Sequence, residues 1–541
     1  MATRKILLGN EAIAHGILES HCTVATSYPG TPASEVLRTL IRLREEHGLD
    51  LHLEWSVNEK VAFEVALANS YVGRRSAVVM KQVGLNVAAD PLMSAAYTGV
   101  KGGFVLVVAD DPGPHSSQTE QDSRFFAMMA KVPVFDPSSP AEARELICKA
   151  FELSEKYEIP VMLRPTTRVC HAREDMEISA VSPEAPFPLF EKNPARWAAT
   201  PKFRLELHRV LNEKIHRLLE ETDRPPRLVN EDSLPSQPDP HSRRKESRSC
   251  LVASGTALAH LCEVLRDLDL WDKVPLYQVL MPYPLSSAFR ETLLERYERI
   301  LVLEETYPVM ELQFQDAAKV HGRRNGVVPS QGELLPETVE KILREFLGLP
   351  APREIQVPSI PGRRPTLCAG CPHRATFFAI KKAFPKGIYP GDIGCYTLGL
   401  NLGVVDTVLC MGASVSQATG LYFAHRSGRK DAPVICATIG DSTFFHSGIP
   451  ALVNAVVQDA RFVLVIMDNG TTAMTGHQVN PCTGVDALAV AVGNVHMLEG
   501  RQAGLDLELI RTLCRRIEVP LVLHGGTGIR PAALREAIQL G

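Results

Sequence analysis

Two oxygen-bearing side chains follow consecutive predicted strands in the C-terminal half of the sequence. Residues 437–478 indicate a strand that ends at Gly440, a helix, and a second apolar strand over 462–467. Asp441 follows the first strand and Asn469 follows the second. Because a parallel β-α-β unit brings the carboxyl ends of its strands side by side, we expect these two side chains to converge at one sheet edge. Mg²⁺ prefers carboxylate, amide and carbonyl oxygens as ligands, so the segment predicts a magnesium site. The alternative is that Asp441 only caps a helix and that Asn469 lies in an ordinary turn.

The spacing of these residues resembles the thiamine-diphosphate motif, in which Gly-Asp-Gly is followed at this distance by Asn. The resemblance implies that Asp441, Asn469 and the backbone carbonyl of Thr471 hold the Mg²⁺ that clamps the diphosphate. Ser442 stands where the motif has its second Gly, a replacement that is tolerated where the backbone needs no positive φ. The residues expected to bind the cofactor are Gly412, Gly440, Asp441, Ser442, Asn469 and Thr471.

A second domain must supply a carboxylate to the aminopyrimidine ring of thiamine diphosphate. Glu59 follows a short predicted strand and starts a predicted helix over 59–71. In thiamine enzymes a Glu in this position drives formation of the imino tautomer, so the resemblance assigns Glu59 a catalytic role. A Glu at a helix start is also favoured by the helix macrodipole, so simple helix stabilisation is the alternative.

Three further motifs extend the resemblance over most of the chain. They are SYPGTP at 27–32, KQVGLN at 81–86 and SSQTEQDSR at 116–124. With them, residues 1–483 resemble the large (alpha) subunits of indolepyruvate:ferredoxin oxidoreductases, a family of 2-oxoacid:acceptor oxidoreductases. The resemblance implies oxidative decarboxylation of aryl pyruvates to aryl-acetyl-CoA, with CoA, ferredoxin and a small beta subunit as partners. In that family the Tyr-Pro-x-Thr-Pro turn lies beside the substrate, so Thr31 is expected to contact the carboxylate of the 2-oxoacid.

Cysteines open the block that carries the magnesium motif. Cys368 and Cys371 form a Cys-x-x-Cys pair, and Cys395 follows in a Gly-Cys-Tyr sequence. Such cysteines could bind zinc, form a redox disulfide, ligate a [4Fe-4S] cluster or merely pack against a cofactor. Related oxidoreductases carry a cluster near the thiamine here, so the resemblance favours iron and sulfur. A cluster takes four thiolates, and Cys410 and Cys482 are the candidates for the fourth.

The sequence after Gly484 has a different character. It resembles a fragment of a class II, zinc-dependent ketose-bisphosphate aldolase, in which His496 and His524 match zinc ligands. Catalytic zinc takes three protein ligands, and two imidazoles fall short of that number. Because the resemblance changes from one family to another, we interpret the chain as a junction of two unrelated proteins near Gly484. The alternatives are a zinc aldolase activity carried by the tail and a non-functional chimera.

The elements that must position these residues alternate apolar strands with amphipathic helices, which predicts an α/β fold with parallel sheets. Predicted strands cover 24–27, 76–80, 104–109, 160–164, 250–254, 276–279 and 300–304, and a further helix covers 32–46. By the resemblance this is a thiamine-diphosphate-binding fold of several parallel-sheet domains, with a truncated C-terminal domain joined to a TIM-barrel fragment. The expected domains are a pyrimidine-binding domain (1–185), a helical or linker excursion (186–249), a transketolase-C-like α/β domain (250–350), a truncated diphosphate-binding domain (366–483) and an aldolase-like β-α-β fragment (484–541).

Composition limits the possible partners. The 541 residues contain 58 Lys and Arg against 62 Asp and Glu, a net charge of −4, so nothing suggests a nucleic-acid partner. No apolar run reaches the roughly 18 to 20 residues of a membrane-spanning helix, and the N-terminus has no signal-peptide pattern. We therefore expect a cytoplasmic protein without a membrane partner, whose 12 cysteines are reduced thiols or metal ligands.

Overall fold

The computed structural model describes residues 3–178, 186–222, 227–233, 248–352, 364–425 and 432–483, together with two short strands in the tail. The chain divides into two compact units. The first consists of residues 1–371 and 408–411, and the second of residues 372–407 and 412–541.

The first unit begins with a six-stranded parallel sheet. Its strands and those of an accompanying antiparallel pair are β1 (Thr3–Leu8), β2 (Val24–Ser27), β3 (His52–Trp55), β4 (Ser76–Lys81), β5 (Phe104–Ala109), β6 (Val134–Phe135), β7 (Val161–Leu163) and β8 (Arg173–Ile178). The large sheet has the order β3-β2-β4-β5-β7-β6, and every neighbouring pair in it is parallel. β1 and β8 form a separate antiparallel pair. The α/β class and the parallel sheet expected from the sequence are confirmed.

Helices cover the large sheet. They are α1 (Gly9–Glu19), α2 (Ser34–His47), α3 (Glu59–Tyr71), α4 (Gln82–Val87), α5 (Ala89–Thr98), α6 (Arg124–Ala130), α7 (Pro140–Tyr157), α8 (Thr167–His171), α9 (Pro194–Trp197) and α10 (Arg204–Thr222). β4 and β5 are buried along their whole lengths, which explains why their sequences are almost continuously apolar. α2 starts two residues later than the sequence predicts, because Gly30 to Ala33 form a turn in which the Ala33 N–H donates to the Gly30 carbonyl (2.8 Å).

A second sheet completes the first unit. Its strands are β9 (Arg227–Leu228), β10 (Ser249–Ala253), β11 (Leu276–Gln278), β12 (Arg299–Leu303) and β13 (Val320–His321), in the order β13-β12-β10-β11-β9. Its helices are α11 (Gly255–Asp267), α12 (Ser287–Arg296) and α13 (Pro336–Leu347). β9 pairs antiparallel with β11, so part of the predicted 186–249 excursion forms an edge strand of this sheet.

Buried ion pairs connect the elements of the first unit. Arg124 donates to both carboxylate oxygens of Asp122 (2.9 and 2.6 Å) and to Glu304 (3.1 Å), which follows β12. Arg164, just after β7, donates to Asp110 at 2.7 Å. All five side chains are almost completely inaccessible to solvent. The motif at 116–124 therefore has a structural role, since its Arg124 pairs with Asp122 and with Glu304, which follows a strand of the second sheet.

The second unit contains the predicted β-α-β segment. Its elements are α14 (Pro372–Ala383), α15 (Ala413–His425), β14 (Cys436–Gly440), α16 (Asp441–Thr443), α17 (Ile449–Val457) and β15 (Val463–Met467). β14 and β15 pair in parallel with Gly440 opposite Met467, so the residues that follow them leave the sheet side by side. The tail strands β16 (Leu488–Val490) and β17 (Leu521–Leu523) also pair in parallel, with Leu488 opposite Leu521. No helix within the described residues is long and apolar enough to cross a membrane.

Candidate active site

Glu59 lies at the carboxyl edge of the six-stranded sheet, as the first residue of α3. Asn58 caps this helix, because its side chain accepts a hydrogen bond from the Val61 N–H at 2.9 Å. The Glu59 side chain is buried and packs against Gly84 in α4, where a Cβ would come 2.6 Å from Oε1. The cap and this contact fix the carboxylate at the end of β3, which is where the sequence predicted the catalytic carboxylate.

Thr31 lies at the same edge, in the turn that follows β2. The Gly30 N–H donates to the hydroxyl of Ser34 at the start of α2 (2.9 Å). The Thr31 carbonyl accepts a hydrogen bond from the Ser116 hydroxyl at 3.2 Å. The structure therefore brings together the turn at 28–32 and the motif at 116–124, which are distant in sequence. Thr31 is half-buried, and Glu59 follows the neighbouring strand.

Lys81 and Asp111 complete this edge; Lys81 was predicted only as part of the KQVGLN motif, without a role, and Asp111 was not among the predicted residues. Lys81 is the last residue of β4, and burial lowers its pKa to about 8 against the opposing charge of Asp111. Burial also acts to raise the pKa of Asp111, but hydrogen bonds from Thr167, Ser116 and Ser117 bring it below its ordinary value. The sequence offered one signal for them, which is that both residues come shortly after predicted strands (76–80 and 104–109).

The second unit carries the residues that are predicted to hold the diphosphate. Asp441 is buried directly after β14, and its Oδ2 accepts a hydrogen bond from the Asn480 amide at 2.7 Å. The same amide donates to the Ser442 hydroxyl (3.1 Å), which is 2.8 Å from the Thr472 hydroxyl. Ser442 therefore ties the first loop of the β-α-β unit to the second. Asn480 was missed by sequence reasoning because it lies far beyond the β-α-β spacing.

Three potential metal ligands meet at Asp441. One ligand atom from each of Asp441, Asp468 and Cys482 lies within 4.8 Å of the other two. Asn469 points its Oδ1 back into its own loop, where it accepts a hydrogen bond from the Thr471 N–H at 3.1 Å. Asp468, one position before the predicted ligand Asn469, also brings a carboxylate oxygen near Asp441, and its Oδ1 accepts a hydrogen bond from the Gly470 N–H at 2.9 Å.

Gly412 lies at the start of α15, in a left-handed conformation (φ 84°) that favours glycine. Its N–H donates to Oδ1 of Asp392 (2.9 Å), and the Ser414 N–H donates to Oδ2 of the same carboxylate (2.9 Å). A Cβ at position 412 would come 2.6 Å from the Cβ of Ser447. Asp392 thus holds the predicted cofactor-binding loop, although sequence reasoning gave it no role.

Tyr396 and His373 support the Asp441 loop. A side chain at Gly440 would overlap the ring of Tyr396, whose hydroxyl donates to the Thr443 hydroxyl at 2.7 Å. The rings of His373 and Tyr396 lie edge to face, 6.4 Å apart. Burial lowers the pKa of His373, and the negative charge of Asp441 opposes this effect. Gly440 is therefore required by close packing.

The predicted cluster cysteines belong to different parts of the chain. Cys368 and Cys371 form a tight turn in which the Cys371 N–H donates to the Cys368 carbonyl at 3.2 Å. Cys395 is the first residue of a 3₁₀ helix in the second unit. Their iron-sulfur role stays a prediction. His496 and His524, the predicted zinc-type residues of the tail, lie outside the described residues.

Two family descriptions match the sequence. Residues 15–214 match the family described as pyruvate flavodoxin/ferredoxin oxidoreductase, thiamine diP-binding. Residues 430–541 match the fructose-bisphosphate aldolase class-II family, a range that crosses the predicted junction at Gly484. The aldolase resemblance of the tail is therefore confirmed, and it extends further upstream than the sequence analysis placed it.

Curated relatives match almost the whole chain. It is 41% identical over 514 residues to the indolepyruvate oxidoreductase subunit IorA of Thermococcus kodakarensis, covering 89% of this chain and 77% of that protein. It is 40% identical over 528 residues to the subunit of the same name from Archaeoglobus fulgidus, covering 94% of this chain and 81% of that protein. The 2-oxoglutarate:ferredoxin oxidoreductase from Magnetococcus marinus, solved with 2-oxoglutarate, coenzyme A and succinyl-CoA bound, shares the fold with a TM-score of 0.50 at 15% identity, over 64% of this chain and 65% of that one.

The parallel sheets and these matches define a subunit of an oxidoreductase. More specifically, the chain belongs to the indolepyruvate oxidoreductase subunit IorA family. The family resemblance derived from the three sequence motifs is confirmed.

Proposed function

We propose that the chain is the thiamine-diphosphate-binding subunit of an enzyme that oxidatively decarboxylates aryl pyruvates to aryl-acetyl-CoA and passes the electrons to ferredoxin. The observation that carries the proposal is the position of Asp441, a buried carboxylate at the end of β14 beside the loop that follows β15. The names of the relatives, indolepyruvate oxidoreductase subunit, support the substrate class. The thiamine description of the match at 15–214 supports the cofactor.

The donor set at Asp441 fits a hard divalent cation that carries a diphosphate. Two carboxylates, from Asp441 and Asp468, supply the oxygen ligands that Mg²⁺ prefers. The carbonyl of Thr471 and the amide of Asn469 lie in the same loop and would complete the protein ligands. Gly412 precedes α15, whose N-terminus would favour the negative charge of the diphosphate.

Bound thiamine diphosphate supplies the nucleophilic carbon and the electron sink that decarboxylation needs. The residues of this chain position it and control protons. Glu59 would hold a proton against the aminopyrimidine ring, and its burial against Gly84 restricts the carboxylate to one place. Thr31, at the neighbouring strand end, would contact the substrate carboxylate.

The remaining partners follow from the resemblance to the family. A small beta subunit, ferredoxin and CoA would act with this chain, and Cys368, Cys371 and Cys395 would ligate a [4Fe-4S] cluster. The 2-oxoglutarate:ferredoxin oxidoreductase was solved with coenzyme A bound, which supports CoA as a reactant of this fold. We place the enzyme in the cytoplasm, as the sequence composition suggests.

Calorimetric titration of the purified chain with thiamine diphosphate and Mg²⁺ tests the cofactor proposal. We expect Asp441→Asn to weaken binding by about 100-fold or more, because metal-site substitutions have effects of this size or larger. Asp459→Asn is the control, since Asp459 is exposed and pairs with Arg461 away from the site. Equal binding by wild type and Asp441→Asn would refute the proposal.

Turnover tests the reaction itself. The chain is assayed with its small subunit, an aryl pyruvate, CoA and ferredoxin, each omitted in turn. We expect product only in the complete mixture, and full turnover by this chain alone with a dye acceptor would contradict the need for a partner.

The second candidate function is zinc-dependent cleavage of a ketose bisphosphate, favoured by the aldolase match at 430–541. It predicts that chelator-treated protein regains bisphosphate cleavage when Zn²⁺ is added. We expect no such activity, because His496 and His524 are two ligands and catalytic zinc takes three from the protein. Cleavage that depends on zinc and disappears in His496→Ala would establish the aldolase function.

A further inference from the structure

The six-stranded sheet contains a topological switch point, where successive strands begin to be added on the opposite side of the sheet. After β2 the chain continues to β3 on one side, and after β4 it continues to β5 on the other side, while β2 and β4 are neighbours. In open parallel sheets such a switch point forms a crevice outside the carboxyl ends of the strands, and ligands bind there. Thr31 follows β2 and Lys81 ends β4, so these two residues flank the crevice.

The side chain of Lys81 is held along this crevice by the turn that carries Thr31. Its stem packs against Gly30, where a Cβ would come 3.0 Å from the Lys81 Cβ. Its Nζ donates to the carbonyl of Ser116 (2.7 Å) and lies 3.3 Å from the Ser116 hydroxyl. The same hydroxyl donates to the Thr31 carbonyl at 3.2 Å. Lys81, Ser116 and the Thr31 turn thus form one connected cluster.

The Lys81 ammonium is buried beside neutral oxygens. Within the residues that the structure describes, no carboxylate lies within 4.0 Å of its Nζ, although the residue is only 8% exposed. Asp111 is the acid whose charge acts on it, but the Asp111 carboxylate accepts from the Ser116 N–H (2.8 Å) and from the hydroxyls of Ser117 and Thr167 (both 2.7 Å). A buried charge is unfavourable unless it is paired, so this site favours an incoming anion.

We propose that Lys81 binds the carboxylate of the 2-oxoacid substrate and so selects for 2-oxoacids over uncharged carbonyl compounds. The proposal rests on the proposed function. Lys81 lies three residues before Gly84, the residue against which the Glu59 carboxylate packs. The cation therefore belongs to the same strand-to-helix connection that positions the proton-holding group. Burial lowers the pKa of Lys81, and the charge of Asp111 only partly opposes this effect.

Kinetics of the complete enzyme with its small subunit test the proposal. We expect Lys81→Met to raise the KM for an aryl pyruvate by about 10- to 100-fold, since a lost hydrogen bond to a charged group has an effect of this size. Lys81→Arg should restore much of the affinity. The control is Lys149→Met, because Lys149 is exposed on α7 and pairs only weakly with Glu145 (4.0 Å).

Two further measurements separate the possible outcomes. An arylpropionate, which has the carboxylate but no keto group, should bind the wild-type chain and bind Lys81→Met at least about 10-fold more weakly. The wild-type KM should rise as pH increases through about 8, where Lys81 loses its proton, and this rise should be absent in Lys81→Met. If both proteins bind thiamine diphosphate equally but the KM changes by less than twofold, the role of Lys81 is refuted. If the wild type does not bind thiamine diphosphate, the proposed function itself fails.

Discussion

The carboxylate of Glu59 lies against Gly84, and a Cβ at position 84 would come 2.6 Å from Oε1 and 2.9 Å from Cδ. Glu59 starts the helix after β3, whereas Gly84 lies in the short helix after β4. Only a residue without a side chain allows the second helix to approach this closely. The glycine of the KQVGLN motif therefore leaves the space in which the carboxylate is held.

The contact between Glu59 and Gly84 predicts that a methyl group added at position 84 lowers activity. Gly84→Ala should displace the Glu59 carboxylate and lower kcat by about 100-fold, since misplacement of a reacting group by about 1 Å can have an effect of this size. Circular dichroism and the unfolding midpoint should change little. Gly420→Ala is the matched control, because Gly420 lies in α15 and no atom of the described part of the chain comes within 4 Å of its potential Cβ. Activity of Gly84→Ala near the wild-type value would show that the Glu59 position is not critical.

The strands and helices that follow from the spacing of apolar residues along the sequence were predictable. β2, β5 and α3 have the bounds that the sequence predicts, because their apolar runs end at clear polar residues. The convergence at Asp441 was predictable as well, because parallel pairing of β14 with β15 fixes which residues leave the sheet together.

The direction of side chains in the loops was not predictable from the sequence. Asp468 and Asn469 both accept hydrogen bonds within their own loop, from the Gly470 N–H and the Thr471 N–H, and these local turns set the direction of each side chain. Asp392 and Lys81 gain their roles from partners that are brought near only by the tertiary fold. No spacing rule in the sequence encodes such contacts.

The buried charge network of the first unit predicts a large loss of stability when one partner is removed. Arg164 donates to Asp110 at 2.7 Å and to Asp136 at 3.3 Å, and all three side chains are buried. Arg164→Met would leave both carboxylates without this cation, which costs about 3 to 5 kcal/mol. Urea unfolding followed by tryptophan fluorescence measures the change.

A surface pair is the control for this experiment. Lys156 and Glu221 form an ion pair in which both side chains are exposed, so Lys156→Met should leave the urea midpoint close to the wild-type value. Similar midpoints for Arg164→Met and Lys156→Met would mean that the buried network does not stabilise the first unit.

The tail strands predict a protease-sensitive segment. β16 and β17 pair in parallel with each other, and a strand pair whose edges are not covered exposes backbone groups to proteases. Brief trypsin or elastase treatment should cleave between Thr483 and Gly500 and leave a stable fragment, which mass spectrometry would identify. Resistance throughout, with cooperative unfolding of tail and core, would show instead that the two sequences form one evolved domain.

Burial of His15 in α1 predicts that acid destabilises the protein. Both ring nitrogens are buried and have no hydrogen-bond partner among the described residues, and burial lowers the pKa of His15 to about 4 from 6.5. Below pH 6.5 the unfolded chain therefore binds a proton that the folded chain does not, so stability is lost as pH falls from 6.5 to 4. His15→Leu should remove this part of the pH dependence, seen as a smaller difference between the urea midpoints at pH 7 and pH 5. His47→Leu is the control, because His47 is exposed at the end of α2, and it should leave the difference between the two midpoints unchanged. If His15→Leu shows the same difference between pH 7 and pH 5 as the wild type, His15 is not the cause of the pH dependence.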